Sequence, residues 1–344
     1  MTNLTQEERE FLRRLNGQGG LRKPSEASPN EVANPEEDLE ARKESHSPQK
    51  TQPAQHPAMK AGKGFKDVAG MDDLKHLVTE GFINVIHNRE CAKAFHLKPP
   101  SILLYGPSGC GKTFFAERMA EEVGIPFMKV VPHDLACTWI HGTQQKIGEL
   151  FREAQKKAPV LLFFDEFDAM VPQRSGNEAD QHTNGEVNEF LCMLNNASER
   201  GIYVLAATNN PERIDKAVLR PGRIDEKIYI DMPDNECRRA LFQLELSTLP
   251  ASDDIDYDEL AKRTQGYNCS DITYIVQTAS RQMFNESIKN AQQPYSLITH
   301  AQLTDIIARC SPSVSTKDLR EFERMRSQMS PKDQRRPQLC RIGF

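Results

Sequence analysis

Two spacings of apolar residues organise this chain. Five short runs carry strand-like apolar content: Ser101-Ile102-Leu103-Leu104-Tyr105, Pro126-Phe127-Met128-Lys129-Val130-Val131, Val160-Leu161-Leu162-Phe163-Phe164, Gly201-Ile202-Tyr203-Val204-Leu205-Ala206-Ala207 and Glu226-Lys227-Ile228-Tyr229-Ile230. The first, third and fourth are expected to be buried strands of a parallel sheet, the third on both faces, and the second and fifth simply strands. Between them the spacing turns helical. Leu74, Leu77, Val78, Phe82, Ile83 and Ile86 predict one long helix over 71–90 with those residues inward, and Pro99-Pro100 stops the chain before the first strand. Phe114, Phe115, Met119 and Ala120 mark a second helix, and Ile147, Leu150 and Phe151 a third. Ahead of the folded part the pattern fails. Residues 17–64 are rich in Pro, Ser, Glu, Gln and Lys and nearly free of large apolar side chains, so they are expected to be a disordered linker. Before it, Thr5-Gln6-Glu7-Glu8 resembles a capping box opening a short helix with Leu4, Phe11, Leu12 and Leu15 on one side. That helix is either a docking peptide or a frayed end.

Chemistry enters between the first run and the helix after it. Gly106-Pro107-Ser108-Gly109-Cys110-Gly111-Lys112-Thr113 fits G-x-x-x-x-G-K-[ST] and sits at a strand-to-helix turn. Without side chains at Gly109 and Gly111, backbone N–H groups can close around a polyphosphate, and the helix N-terminus adds its positive dipole end. Lys112 can reach the β- and γ-phosphates, and the Thr113 hydroxyl can ligate Mg²⁺. Cys110, at a helix N-terminus beside Lys112, is expected to have a lowered thiol pKa. The third run ends in Asp165-Glu166-Phe167-Asp168. Acids at a strand's carboxyl end lie where an open α/β sheet binds its ligand: Asp165 is placed to hold Mg²⁺ through water and Glu166 to polarise an attacking water. The fourth run ends in Thr208-Asn209-Asn210-Pro211. Asn209 can orient the water or read the γ-phosphate, or it belongs to an ordinary Asn-Pro turn. Leu219-Arg220-Pro221-Gly222-Arg223-Ile224-Asp225 places two permanent planar charges in one loop, suited to phosphate contact or simply to solvent.

In order and spacing, these motifs resemble the AAA family of ATPases, with the likeness running from Phe65 to about Arg326. The resemblance implies that Asn209 is a sensor and that Arg220 and Arg223 are arginine fingers acting on a neighbouring subunit's ATP. It also implies a ring, usually of six copies, and an adenine pocket near Asp67 and Ala69. Beyond Pro233 the chain looks like the family's helical lid, with helices at 235–246, 257–264, 270–288 and 300–310. Gly266-Tyr267-Asn268-Cys269-Ser270-Asp271 resembles the lid motif beside the ribose, and residues 313–323 look like the C-terminal helix of katanin, spastin and their severing and endosomal-sorting relatives. The second ring of the valosin-containing protein has a similar ending. Counting back from Phe151, Trp139-Ile140 falls on the family's pore loop, which grips an extended polypeptide. Three places depart from the pattern: His141 in place of a Gly, Asn195-Asn196-Ala197 in place of an intersubunit signal, and Thr183-Asn184-Gly185 without the second pore loop's arginines. The expected fold class is α/β, a parallel five-stranded sheet with flanking helices followed by a small helical lid. The expected division is 1–63 linker, 64–233 ATPase domain, 234–312 lid, and 313–344 C-terminal helix and tail. The basic tail from Met329 is a ring brace, a partner's handle or a disordered end.

Composition narrows the partners. A net charge of −5 offers no global attraction to nucleic acid, so none is expected as a substrate. No apolar run approaches membrane-spanning length. The eight cysteines are scattered without C-x-x-C, as expected of free thiols in a reducing cytosol. The resulting expectation is a cytoplasmic ATPase using ATP and Mg²⁺, a homo-oligomer, usually a hexamer, that remodels protein substrates. An adaptor at the N-terminal segment is one route to those substrates. The alternative is an ATP-gated assembly scaffold that threads nothing.

Overall fold

A computed structural model of the protein describes residues 62–136, 142–174, 181–289 and 296–329. The helix expected at 5–15, the linker up to residue 61 and the tail beyond Met329 lie outside the described residues, whereas the linker's expected last residues are ordered, with the Gly62 and Gly64 N–H groups bonded to the Glu121 carboxylate at 3.1 and 3.2 Å.

Every strand begins and ends within one residue of the run that predicts it: β1 (Ile102–Tyr105), β2 (Phe127–Val130), β3 (Val160–Phe164), β4 (Ile202–Thr208) and β5 (Glu226–Tyr229). They pair parallel throughout, in the order β2-β3-β4-β1-β5. Successive side chains of a strand point to opposite faces, and both faces here are apolar. Leu103, Leu162, Phe164, Val204 and Ala206 join one core; Ile102, Leu104, Leu161, Phe163, Leu205 and Ala207 join the other. This two-sided burial is why β1, β3 and β4 read as unbroken apolar runs, while the edge strands β2 and β5, only partly buried, carry Lys129 and Glu226-Lys227.

The second core is covered by α1 (Asp72–Val78), a π-helical turn (Thr79–Ile83) and α2 (Asn84–His87), with α3 (Arg89–Ala94) following after Asn88. The single helix expected over 71–90 is therefore interrupted. The wider π turn suits the spacing by four of Val78, Phe82 and Ile86, all buried, and leaves Leu77 37% exposed instead of inward. Beside them lies α4 (Lys112–Val123), burying Phe115, Ala116, Met119 and Ala120, with Phe114 on its exposed side. The first core packs under α6 (Gly142–Lys156), α7 (Phe167–Met170) and α8 (Gln181–Leu194), after the short α5 (Pro132–Leu135).

A third core, built on Phe242, Leu260, Ile272, Ile275 and Ile306, gathers α9 (Asn235–Leu246), α10 (Tyr257–Arg263), α11 (Cys269–Lys289) and α12 (His300–Arg309). Polar caps set their starts. Asp234 and Asp256 accept N–H bonds at the heads of α9 and α10, and Thr299 with Gln302 closes a capping box on α12. The last helix, α13 (Thr316–Met329), leaves this helical module and meets the end of β5. There the Arg326 guanidinium lies 5.1 Å over the Tyr229 ring and 3.4 Å from Asp231 Oδ2.

Candidate active site

Gly106 to Thr113 connect β1 to α4 at the carboxyl end of the sheet. Two of the loop's glycines are required by close approach. A Cβ on Gly106 would lie 2.1 Å from the Ile230 carbonyl oxygen, and one on Gly109 would lie 2.4 Å from Asn268 Nδ2. Lys112 is buried and donates to the Gly106 and Pro107 carbonyls at 2.9 and 2.7 Å. Burial lowers its pKa to about 8, although Cys110 and Asp165 oppose the shift. Cys110 departs from expectation. Its thiol is fully buried against Met232 Sδ (3.5 Å), and burial pushes its pKa up to about 12, outweighing the Lys112 charge. Desolvation, which disfavours the thiolate, decides the shift at this buried position. Cys237 and Cys269 are raised for the same reason, to about 11 and 12.

Thr113 Oγ1 donates to Asp165 Oδ2 at 3.0 Å, joining the loop to the end of β3. Asp165 Oδ1 accepts the Glu166 N–H at 3.1 Å, and Glu166 holds a left-handed backbone (φ 51°) that leaves its side chain exposed. The same Asp165 Oδ2 lies 3.2 Å from Lys129 Nζ, which comes from β2. At the end of β4, Thr208 Oγ1 and Asn210 Nδ2 donate to the Asp168 carboxylate at 2.6 and 3.2 Å. This clamp fixes the turn carrying Asn209, whose Oδ1 is buried and accepts no hydrogen bond among the described residues.

The two arginines separate. Arg223 is engaged within its own chain, donating from Nε to Asn195 Oδ1 (3.0 Å) and from Nη1 to the Ala217 carbonyl (2.7 Å). Arg220 is exposed, and its side chain makes no hydrogen bond among the described residues. Asp225 shapes their turn by accepting the Gly222 and Ser101 N–H groups at 2.7 and 3.0 Å.

On the opposite side, Asp67 Oδ2 lies 3.4 Å from Arg118 Nη1 of α4, and the Ala69 carbonyl accepts the Cys237 thiol at 3.2 Å. The segment from Asp67 to Gly70 is thus held between α4 and α9. Asn268 binds the helical module to the phosphate loop. Its Nδ2 donates to the Ser108 carbonyl (3.0 Å) and to Ser313 Oγ (2.8 Å). With Asp271 it forms a reciprocal cap on α11, Asp271 N to Asn268 Oδ1 at 2.8 Å and Asn268 N to Asp271 Oδ2 at 3.1 Å. Ser270 N adds a bond to the Gly109 carbonyl at 3.1 Å.

Trp139, Ile140 and His141 lie outside the described residues. Sequence reasoning missed Lys129, Asp168 and the reach of Asn268. A lone lysine within an apolar strand and the Asn-x-x-Asp spacing were the available signals.

Residues 102–232 match the ATPase family associated with various cellular activities (AAA), and residues 254–294 match the AAA+ lid domain. A cell division cycle protein 48 homologue of Archaeoglobus fulgidus is 32% identical over 271 residues, 76% of this chain and 37% of that protein. A protein of Plasmodium falciparum named as a cell division cycle ATPase is 33% identical over 226 residues, 65% of this chain and 18% of that protein. The chain thus spans well under half the length of either relative. Its ATPase domain and lid match together and in order, on the sheet and the helical module described above, and the chain belongs to the AAA family of ATPases.

Proposed function

We propose that this chain binds and hydrolyses ATP with Mg²⁺, and that it does so in a ring of identical subunits that remodels protein substrates. One observation carries the reading: Lys112, Thr113, Asp165, Glu166 and Asn209 stand just past the carboxyl ends of three adjacent parallel strands, with Thr113 and Asp165 already 3.0 Å apart. A hydroxyl and a carboxylate are hard oxygen ligands and suit Mg²⁺. Asn209 Oδ1, buried without a partner among the described residues, suits a site that acquires a polar ligand. Mg²⁺ held there by Thr113 and Asp165 would supply charge neutralisation at the polyphosphate. The chain supplies the rest. Backbone N–H groups and Lys112 hold the polyphosphate, Thr113 and Asp165 hold the metal, Glu166 takes the proton of the attacking water, and Asn209 orients that water. Asp67 and Ala69 border the adenine. Arg220 reaches a neighbouring subunit's nucleotide, while Arg223 sets the turn that presents it.

The test is Glu166→Gln, which keeps size and hydrogen bonding but removes the base. ATP binding should persist, turnover should fall to near background, and nucleotide-bound oligomers should accumulate in size-exclusion profiles. Turnover at the wild-type rate would remove Glu166 from this role. A scaffold that couples ATP only to assembly is the second reading, favoured by Asn195 standing where relatives carry the intersubunit acid. Loss of substrate remodelling but not of ATPase activity in Trp139→Ala argues for the motor; remodelling that never occurs argues for the scaffold.

A further inference from the structure

Strand β2 carries one residue that its surroundings do not explain. Met128 and Val130 point into the first core. Phe127 points to the other face, where its ring stacks on Phe163 at a centroid distance of 5.7 Å. Side chains two apart share a face, so Lys129 projects to the side of Phe127, toward the layer of α4. An apolar residue would suit that position. Instead its ammonium lies 3.2 Å from Asp165 Oδ2, the same oxygen that accepts Thr113 Oγ1 at 3.0 Å. The register explains the reach. Lys129 pairs with Phe163, and the Asp165 N–H donates to the Val130 carbonyl at 3.0 Å, so the two side chains flank one rung at the sheet's carboxyl end. Both are partly shielded, at 36% and 22% exposed.

We infer that Lys129 is a resident counter-cation on the metal-binding carboxylate: it neutralises Asp165 when no divalent ion is bound and competes with the ion for Oδ2. This rests on the reading of Thr113 and Asp165 as the Mg²⁺ site. Two consequences follow. Without metal, the ammonium prevents a bare carboxylate from facing the polyphosphate, so the loop holds ATP even when Mg²⁺ is scarce. With metal, a cation must displace the ammonium from Oδ2 or share that oxygen with it, which raises the Mg²⁺ concentration needed for full occupancy. The freed ammonium is then available to a phosphate oxygen.

The experiment measures equilibrium binding of a fluorescent ATP analogue to the full chain, in EDTA and across a Mg²⁺ titration. Lys129→Met should weaken metal-free binding by about tenfold or more, the scale of one charged hydrogen bond. It should also lower the Mg²⁺ concentration at half-saturation. Lys129→Gln should behave alike and serves if the Met variant is poorly folded by circular dichroism. Lys129→Arg, which keeps the charge, should stay within about twofold of wild type, and Asp165→Asn combined with Lys129→Met should recover metal-free binding by removing the bare carboxylate. Folded Met and Gln variants that bind metal-free ATP as tightly as wild type would overturn the inference. Lys112→Ala separates the two failures. If it binds ATP normally, or if the wild type binds none even at saturating Mg²⁺, the phosphate-loop reading falls and this inference with it; wild-type binding lost only in EDTA overturns the inference alone. If binding requires Lys112 but ignores Lys129, only the inference falls.

Discussion

The phosphate loop and the Arg220 turn differ in how far one chain completes them. Around the loop most of the polar groups are already engaged: Lys112 by two carbonyls, Thr113 by Asp165, Asp165 by Lys129, and the Ser108 carbonyl by Asn268. Arg220, some 110 residues later in the sequence, is exposed and unengaged among the described residues, beside an Arg223 that is tied down. A permanent charge held in water contributes little to its own chain's stability, which leaves Arg220 free to meet a ligand or stay solvated. The contrast teaches that the phosphate loop is preorganised within one chain, whereas Arg220 is held by no bond of its own chain among the described residues.

The sharpest way to break this contrast is Arg220→Ala. ATP affinity should remain, because the loop is untouched, while hydrolysis falls by about 10³–10⁵-fold if Arg220 acts as an arginine finger. Mixing that variant with Lys112→Ala should restore some turnover through mixed assemblies, and crosslinking each variant beforehand should prevent the rescue. Arg223→Ala should cost far less, since its bonds to Asn195 and Ala217 brace only the turn. Equal losses for the two arginines in a steady-state ATPase assay would erase the distinction.

A second test acts on the preorganised side. Phosphate binding needs charged Lys112, whose pKa without ligand is lowered to about 8 by burial. Below that pH the residue is already protonated and ATP affinity should be flat. Above it, binding must take up a proton, so affinity should fall by up to about tenfold per pH unit until the bound-state pKa is reached. The sign for stability is opposite. Between about 8 and 10.5 the unfolded chain binds more protons at this residue, so its burial penalty is full below 8 and fades as pH rises. Fluorescence titrations and denaturation midpoints from pH 7 to 10 check both.

A smaller effect is expected at Asn268. Removing it by Asn268→Ala leaves the Ser108 carbonyl without its partner and α11 without its cap, costing about 1–3 kcal/mol in urea denaturation. Asn268→Ser restores a cap but not the bridge, and should recover about 1 kcal/mol of that. The smallest effect is at Cys110. With a thiol pKa near 12, alkylation near neutral pH should be slow with or without ATP. Rapid labelling that ATP blocks would show that the thiol is neither buried nor protonated.

Strand runs, phosphate loop and acids were legible in the sequence because each rests on local chemistry: an apolar run, a glycine spacing, a charge at a strand end. What stayed hidden depends on contacts between distant segments. Lys129 meets Asp165 only because β2 pairs with β3, and Asn268 meets Ser108 across 160 residues. Asp168 gained its role from Thr208 and Asn210, on another strand. Cys110 was misjudged because its neighbours in sequence were visible and its burial was not. Leu77 was misplaced because helical periodicity assumes a regular turn, which the π segment breaks.

Asn268 has a mechanical consequence. It ties Ser108 to Ser313, and three residues later α13 begins, whose Arg326 rests on Asp231 and Tyr229. Tyr229 pairs with Tyr105, the residue that leads into the loop. Traced through, loop, helical module, α13 and β5 form a closed linkage that returns to its start. In a closed linkage no member shifts alone. Displacing the loop by the width of a phosphate group has to turn the helical module as a body or break one of these contacts, of which the exposed Arg326 contacts are the weakest.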